Sequence, residues 1–151
     1  MTKSIVLAFF LMAVAVSTPS YCTYHLYTAS ESLTTVACSD GKYGIMNWGY
    51  KDLSPMFPYV TAWQNAGWNN PNCGSCIKMN YKGKAIFITV VDQCGGAGQS
   101  HFDISKEAYY QLFGDEGIRQ GHMNADFEVV QGHNCKGNKK SITVWEEITT
   151  Q

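Results

Sequence analysis

Residues 66–92 read AGWNNPNCGSCIKMNYKGKAIFITVVD, and their two halves call for different structures. In the first half Gly67, Pro71, Gly74 and the asparagines between them surround two cysteines. That is turn chemistry, part of a long loop running from about Gln64 to Cys76. In the second half SCIKMN (75–80) and AIFITVV (85–91) are rich in β-branched residues, and YKGK supplies a turn between them. A strand therefore follows the Cys73-Gly-Ser-Cys76 pair. A redox dithiol of that spacing needs a helix there, and a zinc clasp needs a second close pair. The cysteines read as structural disulfides.

The compartment agrees. Lys3 precedes an apolar run from Ile5 to Val16, and the small residues Ala15, Ser17 and Ser20 follow. This is the pattern of a secretory signal peptide, too short for a membrane span. Cleavage is expected after Ser17 or Ser20, so residues 1–20 are assigned to the signal. All six cysteines (Cys22, Cys38, Cys73, Cys76, Cys94 and Cys135) lie beyond it. An even count in a small secreted domain implies a disulfide framework. Spacing alone does not choose among the pairings.

The remainder is the size of one domain, assigned to 21–137 with a tail at 138–151. A formal net charge of −1 gives no electrostatic footprint for nucleic acid and no basic helix for a membrane surface. No further apolar run could cross a bilayer, and no N-x-S/T sequon is present.

Strands are expected in TYHLYT (23–28) and ADFEVVQ (125–131), and SPMFPY (54–59) forms at most a turn. One helix signal stands out after HFDI (101–104). Ser105 is a good N-cap, Glu107 suits the first turn, and Ala108, Leu112 and Tyr109 supply an apolar face. Gly114 is the expected stop. The tail segment SITVWEEITT (141–150) would add an edge strand or hang loose, with Trp145 favouring packing. The sum is a mainly β barrel of short strands with one or two short helices.

Chemistry is concentrated at HFD (101–103). Asp103 could grip a sugar, act as an acid or help start the helix, although Ser105 is better placed to cap it. Asp92 follows a β-run and precedes a glycine-rich loop; bonding loop amides to hold GGAG (95–98) in shape is its expected job. Tyr24, Tyr27, Trp48, Tyr50, Trp63 and Trp68 are numerous for this size. Most such rings fill a core, but exposed ones stack on the C–H faces of sugars. Tyr24 and Trp48 are the rings expected to be exposed, whereas Trp68 is expected to pack beside the disulfides. His25, His101, His122 and His133 show no metal spacing, and no metal or cofactor is expected.

LTTVACSDG (33–41), GYKDLSPMFPYV (49–60) and the 66–92 stretch resemble the cerato-platanin family of small secreted fungal proteins. VDQC (91–94) and GH (121–122) followed by an alternating strand resemble barwin, HFDIS (101–105) resembles the expansin HFD motif, and TYHLY (23–27) is similar to the first barwin strand. All three families share a six-stranded double-psi β-barrel, so that disulfide-stapled fold is what the resemblance implies. The cerato-platanin pattern also implies Cys38–Cys73 and Cys76–Cys135. Cys22 and Cys94, left over by that pattern, are expected to form a third bridge. Here the chain departs from both families. Cerato-platanins usually lack a cysteine at 94, and barwin's partner for it falls near Gln64.

The family's behaviour implies non-catalytic binding of chitin oligomers or β-glucan, expansin-like wall loosening and recognition by plant hosts. Related endoglucanases pair the HFD aspartate with a carboxylate in the first strand, and TYHLYTAS (23–30) has none. The enzyme alternative is a lytic or hydrolytic one using Asp103, with Asp92 as a conceivable partner. A protein-binding, inhibitor-like barrel is the third option. The expected groove comprises Asp103, His101, Asp92, Tyr24, Trp48 and Tyr27. Its partner is a chitin- or cellulose-type polysaccharide, with a host receptor as a second partner. The protein is expected to be monomeric.

Overall fold

The computed structural model describes residues 16–141. The greater part of the expected signal segment, and the tail with Trp145, lie outside the described residues. Six strands appear: β1 (Thr18–His25), β2 (Val60–Trp63), β3 (Cys76–Tyr81), β4 (Lys84–Asp92), β5 (Ser100–Ser105) and β6 (Met123–Val130). They close into a barrel in the order β1-β5-β2-β4-β3-β6. β1–β5 and β2–β4 are parallel, and the remaining neighbours are antiparallel. One helix, α1 (Lys106–Gln120), packs on the outside. This is the double-psi barrel expected from the sequence.

The 66–92 stretch folds as read. β3 and β4 form a hairpin whose register ends at Tyr81↔Lys84. Lys82 and Gly83 take φ values of 45° and 79°. Two left-handed residues make a tight turn whose twist matches that of the strands. The loop before the hairpin is stapled by Cys38–Cys73, and β3 is tied to the chain beyond β6 by Cys76–Cys135. The sequence separations are 35 and 59 residues. Loops of that length give each bridge about 3–4 kcal/mol in the chain-entropy account.

Several expected elements shift. β1 starts at Thr18 and ends at His25, not at 23–28, because β6 pairs with it from Thr18 onward. β2 was not anticipated: four residues are too few for a periodic signal. HFDIS is a strand up to Ser105, with α1 beginning only at Lys106. The Ser105 hydroxyl accepts from the Ala108 amide at 3.3 Å, which is the expected cap, and it also donates to the Pro58 carbonyl. Gly114 does not end the helix. Its φ of 64° and ψ of −159° kink it, and the stop falls at Gly121, also left-handed, whose N–H bonds to the Gly117 carbonyl.

Strand alternation sorts the side chains. Ser20 and Cys22 on β1 and Phe102 and Ile104 on β5 are buried in the core. Trp63 stacks on Phe102 at 5.3 Å, and Phe127 meets Phe102 edge-on at 4.9 Å. The helix adds Ala108, Tyr109, Leu112 and Phe113 to this cluster. A fully buried ring or branched side chain contributes roughly 1.5–3 kcal/mol. The opposite faces of β1 and β5 are left for function.

Candidate functional site

β1 and β5 run parallel with Tyr21↔His101, Thr23↔Asp103 and His25↔Ser105 opposite one another. Phe102 and Ile104 point inward, so His101 and Asp103 are presented on the outer face beside Tyr21, Thr23 and His25. The row continues through Ala62 on β2, opposite Asp103, to Asp92 on β4, opposite Ala62. A bulge between Thr61 and Ala62 sets that last pairing.

Asp103 is held from β1. Thr23 Oγ1 donates to Asp103 Oδ1 at 2.6 Å, and His25 Nδ1 stands 3.6 Å from Oδ2. Thr23 Oγ1 is also 2.8 Å from His101 Nε2, and His101 Nδ1 donates to the Gly95 carbonyl at 2.6 Å. Gln64 fixes the loop above. Its Oε1 accepts from the His101 amide at 3.0 Å and from the Ala97 amide at 3.4 Å. At one end of the face Tyr21 stacks with His122 at 5.4 Å and meets His101 edge-on at 5.2 Å.

Asp92 is differently placed. Its Oδ1 accepts from the Ala37 and Gln93 amides, both at 2.8 Å, and its Oδ2 faces the Tyr27 hydroxyl at 3.4 Å. The amides it holds belong to Ala37 and Gln93, and not to the GGAG loop (95–98). Tyr27 is buried, with its ring 4.6 Å from His25. Burial, followed by the charges of Asp92 and Asp103, pushes its hydroxyl far above the ordinary tyrosine range, so it stays a donor.

The structure therefore gathers Asp103, His101, Asp92 and Tyr27, and separates two residues expected with them. Tyr24 pairs with Ile104 and lies on the opposite side of β1, its ring 5.2 Å from Tyr109 of α1. A strand cannot show Tyr24 and Thr23 on one face. Trp48 sits in a 3-10 turn (Ile45–Trp48) beside Tyr50, at 6.2 Å, and against Gly74 next to the Cys38–Cys73 bridge. It is Trp68 that is exposed, to 66%, with its indole N–H donated to Asp40 at 2.6 Å. The expected exposures of Trp48 and Trp68 are thus exchanged.

The expected Cys22–Cys94 bridge is absent: both are free thiols. Cys22 is on the inward face of β1, near Ser20 and Met79 at 3.6 and 3.9 Å. Cys94 lies in the loop after β4 and points its sulfur at the His101 carbonyl, 3.4 Å away. Cys22 is thus in the barrel core, whereas Cys94 is only half-buried in a loop. Burial pushes Cys22 up to about 12, and burial with the Asp103 charge does the same for Cys94. Among the described residues, no three His, Cys, Asp or Glu side chains converge in a metal-binding group.

Thr23, His25, Tyr21 and Gln64 were missed by residue-level reasoning. A period of two along TYHLYT would have set Thr23 with His25 against Tyr24. Nothing local marks Gln64.

The cerato-platanin family description matches residues 17–137. The chain belongs to the cerato-platanin family. Cerato-platanin of Ceratocystis fimbriata f. sp. platani is 37% identical over 115 residues, covering 73% of this chain and 81% of the relative. The heat-stable 19 kDa antigen of Coccidioides immitis is 34% identical over 114 residues, 74% of this chain and 75% of its own. Among solved structures, cerato-platanin 1 of M. perniciosa superposes with a TM-score of 0.69 at 29% identity, over 77% of this chain and 98% of that one. The solution structure of the fungal elicitor Cerato-Platanin gives 0.65 at 31%, over 80% and 99%. A Clavibacter michiganensis expansin mutant in complex with cellohexaose shares the fold, with a TM-score of 0.53 at 17% identity, over 78% of this chain and 52% of that one.

Proposed function

We propose that this cerato-platanin is a secreted protein that binds cell-wall polysaccharide of the chitin or β-glucan type and does not cleave it. The observation that carries this reading is the unequal state of the two groove carboxylates. Asp103 Oδ1 is filled by Thr23, but Oδ2 stands 3.6 Å from its nearest ion-pair partner, beyond good hydrogen-bond length. It is therefore able to accept from a sugar hydroxyl. Asp92 has its Oδ1 saturated by two amides and its Oδ2 turned to Tyr27. Glycoside hydrolysis by two carboxylates needs both acids free on either side of the bond. β1 contributes Pro19, Tyr21, Thr23 and His25 to this face, none of them an acid.

The Tyr21–His122 stack offers a flat surface at one end of the row, suited to the C–H face of a sugar ring. An expansin of the same fold has been solved with cellohexaose, which supports a glucan as ligand class. Disulfides persist in oxidising compartments, in keeping with secretion. The relative described as a fungal elicitor supports, as a second reading, recognition of the protein by plant hosts.

The test incubates purified protein with chitin, cellulose and xylan, and measures both co-sedimentation and newly released chain ends. Sedimentation without new ends is expected. A charged acceptor contributes about tenfold in affinity, so Asp103→Asn should release the protein from the pellet by that factor. Soluble products that vanish in Asp103→Asn would establish the enzyme alternative. No sedimentation with any glycan would leave the protein-binding barrel.

A further inference from the structure

Counting hydrogens along one chain of contacts on the groove face gives a result that pairwise contacts conceal. The chain runs Gly95 O, His101 Nδ1, His101 Nε2, Thr23 Oγ1, Asp103 Oδ1, with links of 2.6, 2.8 and 2.6 Å. A carbonyl only accepts, so His101 Nδ1 carries a hydrogen. Each of the other two links needs one hydrogen as well, and the Thr23 hydroxyl has only one to give. A neutral imidazole and an ionised carboxylate leave the chain one hydrogen short. All three bonds are made only when one further proton is present, on His101 Nε2 or on Asp103.

We infer that His101, Thr23 and Asp103 form a single proton-sharing unit that sets the groove's hold on its ligand; this rests on the polysaccharide reading above. With the proton on His101, Nε2–H donates to Thr23, Thr23 donates to Asp103, and the carboxylate keeps its charge for the ligand. A relay through Thr23, in which Nε2 gives its hydrogen to Thr23 Oγ1 as Thr23 gives its own to Asp103 Oδ1, moves the proton to Asp103 without changing the total. Losing the proton breaks a link, because Thr23 can then serve His101 or Asp103 but not both. Adding a second proton neutralises Asp103. Binding therefore has a maximum where the unit holds one proton, and the two limbs belong to the unit and not to either residue.

The surroundings are accounted for on every side. From β1 come His25, 3.6 Å from Asp103 Oδ2, and Tyr21 against the His101 ring, with His122 behind it. From the segment after β1 comes Tyr27, and from β4 and its loop come Asp92 and Cys94. Tyr27 and Cys94 are held protonated, so neither supplies a charge. β2 presents Ala62, and Gln64 follows it; neither titrates.

The first test needs no glycan. Imidazole nitrogens and the Asp103 carboxyl carbon are followed by NMR between about pH 4 and 9, the span in which carboxylates and imidazoles change charge. The one extra proton is expected on His101 Nε2 or on Asp103 while the groove is intact, and its loss should be felt at both residues in a single transition. In Thr23→Val, a change of similar size, the two signals should move independently. The second test is binding. His101→Gln keeps a donor toward Thr23 with no proton to lose, so its alkaline limb should disappear, whereas the wild type falls about tenfold. A singly protonated His101 beside an ionised Asp103, or wild-type coupling that survives in Thr23→Val, would overturn the inference. Coupling in the NMR without binding to any glycan would leave the unit standing and remove the polysaccharide reading.

Discussion

Asp92 and Asp103 lie on the same face of the barrel, one strand to either side of Ala62, and Asp92 accepts at both carboxylate oxygens whereas Asp103 Oδ2 has His25 Nδ1 3.6 Å away. Asp92→Ala should strand the amides of Ala37 and Gln93, costing about 2 kcal/mol and lowering the melting temperature by roughly 8 °C, at about 4 °C per kcal/mol for a domain of this size. Asp103→Asn should leave the melting temperature within about 4 °C, a change below 1 kcal/mol. Thermal melts of the two variants beside the wild type decide it; equal losses would make both acids structural.

The two thiols make a chemical prediction. Non-reducing peptide mapping should return Cys38–Cys73, Cys76–Cys135 and two unpaired cysteines. The thiolate is the reactive form, and both thiols are raised to about 12, so the neutral form prevails at ordinary pH. Alkylation of native protein should be slow and should gain about tenfold per pH unit on the alkaline side, up to about 12. Cys94 should label first, because Cys22 is fully buried. Rapid labelling of Cys22 in native protein would contradict the inward face assigned to it.

The tryptophans separate by environment. Trp63 is stacked in the core against Phe102 and Phe127, so Trp63→Ala should cost about 3–5 kcal/mol. Trp68 is two-thirds exposed, and Trp68→Ala should cost about 1 kcal/mol or less. Chemical denaturation of both variants measures the contrast. Comparable losses would mean that Trp68 packs beside the disulfides after all.

The mature N-terminus is expected at Thr18. Cleavage after Ser20 would remove Thr18, Pro19 and Ser20, which pair with Phe127, Asp126 and Ala125. It would also delete the buried bond from Ser20 Oγ to the Ala125 carbonyl at 2.8 Å. Cleavage after Ser17 keeps β1 whole. N-terminal sequencing of secreted protein gives the answer, and a chain beginning at Tyr21 would refute it.

Much of this molecule was legible where neighbours in the chain are neighbours in space. The β3–β4 hairpin follows from its β-branched runs and the Lys82–Gly83 turn, and the helix start from Ser105. Gly114 misled because a kink and a stop require the same left-handed glycine. Whether the helix resumes depends on what packs beyond it, and Gly117 there lies directly against Tyr109 and Phe113. β2 escaped notice because four residues show no period.

The amino-acid sequence alone determined a mainly β fold, the β3–β4 hairpin and the capped helix start, through motifs whose parts are close in the chain; the pairing of Cys38 with Cys73 and of Cys76 with Cys135, 35 and 59 residues apart, was implied by the family resemblance. Only the tertiary structure decided which face each residue of β1 takes. Parallel pairing of β1 with β5 brings together segments about 80 residues apart, so nothing local records that Thr23 meets both His101 and Asp103. The same pairing turns Cys22 inward and away from Cys94, and sends Tyr24 to the helix side. In a strand one step along the chain reverses the side chain, so the register of a distant partner settles what the groove contains.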